Sequence, residues 1–518
     1  MGEASTKNRK KIIQRTLLLT IGTLIVLTSV ISLIAYNQSQ TAASQYRTLQ
    51  NSYDSLQSQI SVIQINYNNL TSQYNKLKIN YDNLTSQYNK LMSSHNMLLE
   101  SPGLTYDITD YGATPNDQSD DVLAFVKILS EHPSNIQIHI PSGTFLIGTA
   151  IQLNKNDNVT IFGEGINSII KLTAQNNIIS IENSKNVVIK DLIIDGNNGY
   201  LTGTEDCIRA GFHADDLILQ KLYIHDTIGN SIHIFASSNA IIDNCRVENS
   251  GKIGINSHLY GNAIILNSVD GARITGNLIN GYFGDNGIGV VRYISEYLGR
   301  NTVIYNNTVS GAHTDEGSGI GIGFVENCII TNNVVFNDND IYDSKDKIFE
   351  GIDGIYLVGE KNIVINKNEI YRVTGVGIEI NNGDNVIAIN NYLHDFVGNG
   401  TSAAGMYVSA NNTLVENNTI EDATSHGLSI GNYGNNEQII NNTIRDTRAV
   451  LFKDSGGIRI LLDELNKKNL TIIDNTLINN PWGIYFTTTG LGQLIDPIIR
   501  GNTIIGSNPS YFGVEPTN

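Results

Sequence analysis

The feature that most limits what this chain can fold into is a short phrase, apolar-apolar-x-Asn-x-apolar, returning at intervals of 23 to 35 residues. It reads IIDNCRV, RITGNLI, VIYNNTV, IITNNVV, VINKNEI, AINNYLH, LVENNTI, QIINNTI, IIDNTLI and IIRGNTI, with Asn244, Asn277, Asn307, Asn333, Asn368, Asn391, Asn418, Asn442, Asn475 and Asn502 in register. Two earlier turns carry Asp191 and Lys221 at that place. Between the asparagines a second phrase recurs, Gly-apolar-x-apolar (GIGV, GIGI, GIYL, GIEI, GMYV, GLSI, GIRI, GIYF). Each repeat thus holds short strands joined by turns, and one repeat alone cannot bury its apolar side; stacked repeats share one continuous core. The expected fold is all-β, a right-handed parallel β-helix of about 12 rungs. Leucine-rich horseshoes and propellers have other periods. Asparagines at one fixed turn can bond from rung to rung as a ladder, so their recurrence is structural.

Ahead of the repeats, residues 1–15 carry Lys7, Arg9, Lys10, Lys11 and Arg15 against one acid, Glu3. Residues 16–36 are uncharged and rich in Leu, Ile and Val. At about 1.5 Å per residue they are long enough for a bilayer core. A cleavable signal peptide is the alternative; the length of the run and the poor cleavage site at Ala35-Tyr36-Asn37 favour an anchor. The basic tail then puts the N-terminus in the cytoplasm and the rest outside. Over residues 44–99 heptads run without a slip, from Tyr46 to His95 at a and from Leu49 to Leu98 at d. This predicts a coiled-coil stalk and hence a homo-oligomer. A trimer is favoured by analogy with β-helix spikes. Ser101-Pro102-Gly103 ends the helix.

A net charge of −17 disfavours a duplex nucleic-acid partner, which needs a basic face, and none is expected. Cys207, Cys245 and Cys328 are too few for a disulfide framework and read as small buried hydrophobes. Sequons are dense; Asn69 and Asn83 on the stalk are the best glycosylation candidates and agree with an extracellular location.

Residues 104–518 form the solenoid domain, and 104–165 its capping region. The segment YDITDYGATPNDQSDDVLAFVKIL, then IHIPSGTFLIGTAIQL and VTIFGEG, resembles the opening of pectate-lyase-like, rhamnogalacturonase/epimerase-type β-helices. The matching positions are Tyr111-Gly112-Ala113, Asp120-Asp121, Pro141-Ser142-Gly143-Thr144 and Gly163-Glu164-Gly165. The resemblance implies a strand and a helix start that cap the open end. Further on, SHGLSIG and GIRI are similar to the His and Arg segments of polygalacturonase-type hydrolases, which would match His426 and Arg459. Ala403-Ala404, Val376 and Leu461 stand where that family has its aspartates and lysine, so its mechanism is not carried over.

Alternation points x of Gly-apolar-x-apolar outward. Down the stack x reads Arg209, His233, Asn256, Gly289, Gly321, Tyr356, Glu379, Tyr407, Ser429, Arg459, Tyr485, with Asp353, His426 and Trp482 at the corner beside it. The two glycines before Tyr356 make a gap. Tyr356, Tyr407, Arg459, Trp482 and Tyr485 are the candidate substrate-binding residues, because aromatic faces with charged groups between them suit a polysaccharide. Asp353, Glu379 and His426 are the catalytic candidates. The two carboxyls suit an acid and a base, or a Ca2+ site, though no cofactor is required. His426 suits a proton carrier near neutral pH. Three functions remain open: a polysaccharide lyase, hydrolase or epimerase; a glycan-binding adhesin; and a structural surface spike.

Overall fold

The computed structural model describes residues 103–507 except 198–204, 254–258, 283, 313–316, 338–350, 398–403, 449–454, 463–464 and 489–490, together with 511–512 and Gln50, Ser52, Tyr53 and Gln57. Two compact units divide the chain, Met1–Ser86 and Gln87–Asn518. In the first, the four described residues are helical. The expected anchor at 16–36, and the stalk at 44–99 beyond those four, lie outside the described residues. No helix among the described residues is long and apolar enough to cross a membrane.

The second unit is a parallel β-helix with three strands per rung. One sheet starts with Leu104–Asp107 and Ser134–Ile140 and ends with Thr471–Ile473 and Ile498–Arg500, each strand pairing parallel with its counterpart a rung away. A second runs from Gly143–Ile147 to Thr503–Ile505, and a third from Ile151–Asn154 to Tyr511–Phe512. The third sheet carries the Gly-apolar-x-apolar strands. Long strands such as Ile378–Ile389 bend round a corner and belong to two sheets.

The core is made of stacked columns. Ile304, Ile330, Ile365, Ala388, Val415, Ile439 and Ile472 follow one another in register, all fully buried. Ile320, Ile355, Ile378, Met406, Leu428, Ile458 and Ile484 form the matching column of the third sheet. Each rung covers its neighbours' apolar faces, and burial stabilises by about 25 cal/mol per Å².

The N-terminal end is closed by the helix Val122–Glu131, which buries Val122, Phe125, Ile128 and Leu129. Its start is pinned by two carboxylates. Asp121 accepts from the Thr114 and Leu146 amides at 2.9 and 2.8 Å, and Asp120 from those of Val122 and Gly148 at 3.1 Å. The Asp-Asp pair therefore ties the cap to the first rungs, as the resemblance implies.

The asparagine ladder is present, with a correction. Asn277, Asn307, Asn333, Asn368, Asn391, Asn418, Asn442, Asn475 and Asn502 are linked in succession, each side-chain carbonyl accepting the backbone and side-chain amides of the asparagine before it. Asn244 is not a member. Its place is taken by Cys245, whose amide donates to Asn277 Oδ1 at 2.8 Å. Asn244, Asp191 and Lys221 sit one residue earlier, at φ of 51°, 53° and 50°, in the left-handed bend that turns the chain. Asn306, Asn332, Asn390, Asn417 and Asn441 occupy the same bend. In an Asn-Asn pair the first residue thus supplies a conformation that Asn tolerates better than most, and the second supplies the ladder. Cys207, Cys245 and Cys328 are free thiols, buried as expected.

Candidate functional site

In the third sheet the x positions stack in register, from Ser180, Arg209, His233 and Ile265 through Gly289 and Gly321 to Tyr356, Glu379, Tyr407, Ser429, Arg459 and Tyr485. Asn256 lies outside the described residues, and Ile265 occupies the rung assigned to it. The strand between His233 and Gly289 begins at Ile264, where the sequence shows no glycine phrase to mark it.

The corner residues preceding each phrase form a second row. Asn230 Nδ2 donates to Asp206 Oδ1 at 2.6 Å, Asn262 Nδ2 to Asn230 Oδ1 at 3.0 Å, the Asn286 amide to Asn262 Oδ1 at 2.7 Å, and Ser318 Oγ to Asn286 Oδ1 at 2.6 Å. Ser318 is in register with Asp353. In this row Asp353, with His426 and Trp482 farther along, is a candidate from the sequence, whereas Asn286 and Ser318 are not. The residue before each glycine, read through all rungs, would have found Asn286 and Ser318.

Gly289 and Gly321 do make the expected gap. Above it lies a cleft of about 500 Å³ lined by Asp285, Asn286, Tyr293, Ser318, Asp353 and Tyr356, with Gly321 among its walls. The Asn286 side chain rests over both glycines, so a β-carbon at Gly321 would collide with Asn286 Oδ1. A larger residue at x would here push the neighbouring Asn286 amide aside. Tyr293 is 72% exposed at the rim, whereas Tyr356 is half-buried.

At the edge of the cleft Asp353 and Glu379 are hydrogen-bonded to each other. Asp353 Oδ1 also accepts from the Val376 amide at 2.6 Å, and Asn381 Nδ2 donates to Glu379 Oε1. Burial and the neighbouring Glu379 push the Asp353 carboxyl well above the usual carboxylate range. Burial raises Glu379 as well, against its hydrogen bonds to Asn381 and Asp353. Two carboxyls so close share a proton rather than both ionising. Tyr356 is raised by burial and by Glu379, and its hydroxyl also meets Asn381. Asn381, two residues beyond Glu379 on the same face, was missed by the sequence reading; the period of two would have shown it.

The other candidates gather farther along. The corner row continues from Asp353 through Val376, Ala404, His426, Gly456 and Trp482. His426 Nε2 faces Arg459 Nη1 at 3.3 Å, and its Nδ1 faces the Tyr485 hydroxyl at 2.8 Å. Arg459 Nε donates to Thr487 Oγ1 at 3.2 Å. Burial first, then the Arg459 charge, push His426 down to about 3. His426 is therefore neutral through the physiological range, which corrects its expected role as a near-neutral proton carrier. Tyr485 needs a second correction. It is 1% exposed, with Gly456 against its ring, so it is a buried partner of His426 and not an outward platform. Tyr407, Arg459 and Trp482 are half-buried. The structure thus brings Asp353, Tyr356 and Glu379 together at the cleft and His426, Arg459 and Tyr485 into a separate cluster, with Tyr407 on a rung between. The cluster of His225, Asp226 and Asp195 is on another sheet, and Asp195 is already bound to Lys171 Nζ at 2.6 Å.

Two family models match the chain. "Rhamnogalacturonase A/epimerase, pectate lyase-like" covers residues 105–345, and "Right handed beta helix region" covers residues 333–504. No curated protein sequence matches. Among solved structures, the pre-mature gene product 12 of bacteriophage phi29 is similar at 16% identity and a TM-score of 0.50, over 78% of this chain and 56% of that one. PfbA, a surface adhesin of Streptococcus pneumoniae, is similar at 15% identity and 0.48, over 71% and 93%. The A-module of the mannuronan C-5 epimerase AlgE6 of Azotobacter vinelandii follows at 16% and 0.44, over 78% and 99%. At these identities the likeness is one of fold.

Proposed function

We propose that this chain is a surface-anchored β-helix protein that binds a polysaccharide along its third sheet and exchanges a proton with it through the Asp353–Glu379 pair. The observation that carries the reading is the pair itself: two half-buried carboxyls sharing a proton at the edge of a cleft flanked by Tyr356 and Tyr293. A shared proton held above the usual carboxylate range supplies an acid and a base side by side. Tyrosine rings offer flat apolar faces for the C–H faces of a sugar. The match to a family model named for rhamnogalacturonase and epimerase supports a sugar polymer as ligand. Residues 16–36 would anchor the chain, and residues 44–99 would hold it away from the membrane as an oligomeric stalk, a trimer by preference. No metal is needed by this scheme.

The pair is in direct contact, whereas glycosidase carboxyls stand about 5–9.5 Å apart to flank the scissile bond. That observation favours a second reading, a glycan-binding adhesin in which the pair only binds hydroxyls. The test is to incubate the full chain with a panel of polysaccharides and follow binding, new reducing ends, unsaturated sugars and epimerised residues. Product that disappears in Glu379→Gln establishes proton transfer. Binding without product leaves the adhesin. If no polysaccharide binds, both readings fail.

A further inference from the structure

We infer that the cleft before Tyr356 is built for an uncharged sugar residue, so that its polysaccharide is a neutral one and not a polyuronate. This deepens the polysaccharide reading above and rests on it. The charge of the lining is the first ground. Asp285 and Asp353 line the cleft, Glu379 adjoins Asp353, and among the described residues no Lys, Arg or His lines it. Arg292, between the lining residues Val291 and Tyr293, turns its guanidinium to the carbonyls of Ser295 and Tyr297 at 3.2 Å each. Arg459 is four rungs beyond Tyr356, roughly 19 Å away at about 4.8 Å per rung. A sugar carboxylate in the cleft would therefore meet like charge, with no counter-ion among the described lining residues, and like-charge juxtaposition is strongly unfavourable.

The second ground is the kind of polar group offered. Asn286 holds its Oδ1 in the bond from Ser318 Oγ, and its Nδ2 has no protein acceptor among the described residues. Beside that donor stand the acceptor oxygens of Asp285 and Asp353. A donor amide next to carboxylate acceptors complements hydroxyls, each of which both gives and takes a hydrogen bond. The third ground is shape. Gly321 leaves room for the Asn286 amide to lie over it, and Tyr356 stands one rung farther on, so a pyranose resting against that amide has a ring at its side.

The experiment is affinity electrophoresis of the full chain through gels carrying neutral polymers (a β-glucan, a mannan, a galactan) or polygalacturonate, at low and high salt. We expect retardation by at least one neutral polymer, unchanged by salt, and none by polygalacturonate. Tyr356→Ala should weaken the neutral interaction at least tenfold. Gly321→Ala, which pushes the Asn286 amide aside, should weaken it as well while the thermal midpoint stays near that of the parent; Asn286→Asp repeats the test without added bulk. Salt-sensitive binding of polygalacturonate that Tyr356→Ala abolishes would overturn the charge inference and leave the glycan-binding reading standing. Neutral binding indifferent to all three substitutions would overturn the assignment to this cleft. Binding of neither class would sink the underlying reading too.

Discussion

His426 and Tyr485, in separate rungs and 59 residues apart in the chain, meet with 2.8 Å between imidazole Nδ1 and phenol oxygen. With Arg459 donating to Nε2, the neutral ring carries its proton on Nδ1 and gives it to Tyr485. The folded-state value near 3 lies below the ordinary 6.5, so the unfolded chain binds a proton that the folded one refuses. Stability is therefore lost as pH falls from about 6.5 towards 3. Tyr485→Phe should cost about 1–3 kcal/mol by orphaning the Nδ1 donor. His426→Gln should flatten the acid limb of a melting-temperature profile between those pH values, and an unchanged limb would count against the neutral histidine.

Glu360 gives the opposite slope. It is fully buried, neither carboxylate oxygen has a hydrogen-bond partner among the described residues, and burial pushes it up to about 8. Its folded-state value exceeds the ordinary 4.5, so the folded chain holds a proton that the unfolded one releases. Stability falls as pH rises from about 4.5 through 8. Glu360→Gln should remove that slope and stabilise at pH 7 on the order of 3 kcal/mol. Chemical denaturation at pH 5, 7 and 9 checks it.

For the carboxyl pair, Glu379→Gln removes the neighbour whose charge helps to raise Asp353. Carbon-detected NMR titration should show Asp353 protonating at lower pH in the variant than in the parent. Any sugar-processing rate should fall on the order of 100-fold or more in Glu379→Gln and in Asp353→Asn.

The ladder and the outward row should separate on stability. Asn418 is buried and accepts from Asn391 N and Nδ2 at 2.9 Å while donating to Ala388 O and Asn442 Oδ1 at 2.9 Å. Asn418→Ala leaves buried donors unmet and should cost about 3 kcal/mol. Tyr407→Ala, at a half-buried outward position, should cost about 1 kcal/mol or less and weaken glycan binding. Equal shifts in thermal midpoint would contradict the division.

Lys467 and Glu437 form an ion pair of 2.5 Å with both side chains fully buried, and Lys467 Nζ also donates to the carbonyls of Tyr433 and Gly434 at 3.3 Å. Breaking it with Lys467→Met should destabilise by about 3–5 kcal/mol, since the Glu437 charge is left alone. The double variant Lys467→Met/Glu437→Leu should recover most of that loss in a denaturant midpoint.

The repeat, the cap and the row of x residues were legible because each rests on periodicity: apolar columns, Asp120-Asp121, and Gly321 to Tyr356 in order. What misled was adjacency and coverage. Asn244 and Asn277 look alike in the phrase, yet one makes a bend and the other a ladder, and only rung-to-rung register separates them. Alternation gave the face of Tyr485 correctly, but the neighbours that cover it, His426 and Gly456, come from other rungs. The carboxyl pair was legible as neighbours; its shared proton follows from burial, which a single rung's sequence does not carry.

The ladder also bears on how such a chain can change length. Each ladder asparagine offers its amide to one carbonyl oxygen of its successor, at 3.0 Å where the two stand 23 residues apart, as Asn368 and Asn391 do, and at 2.9 Å where they stand 33 apart, as Asn442 and Asn475 do. Every joint has the same plug and socket. A segment from one ladder asparagine to the next can therefore be duplicated or excised while the two cut faces still fit. The number of rungs is then open to selection almost independently of what any rung's loops have become.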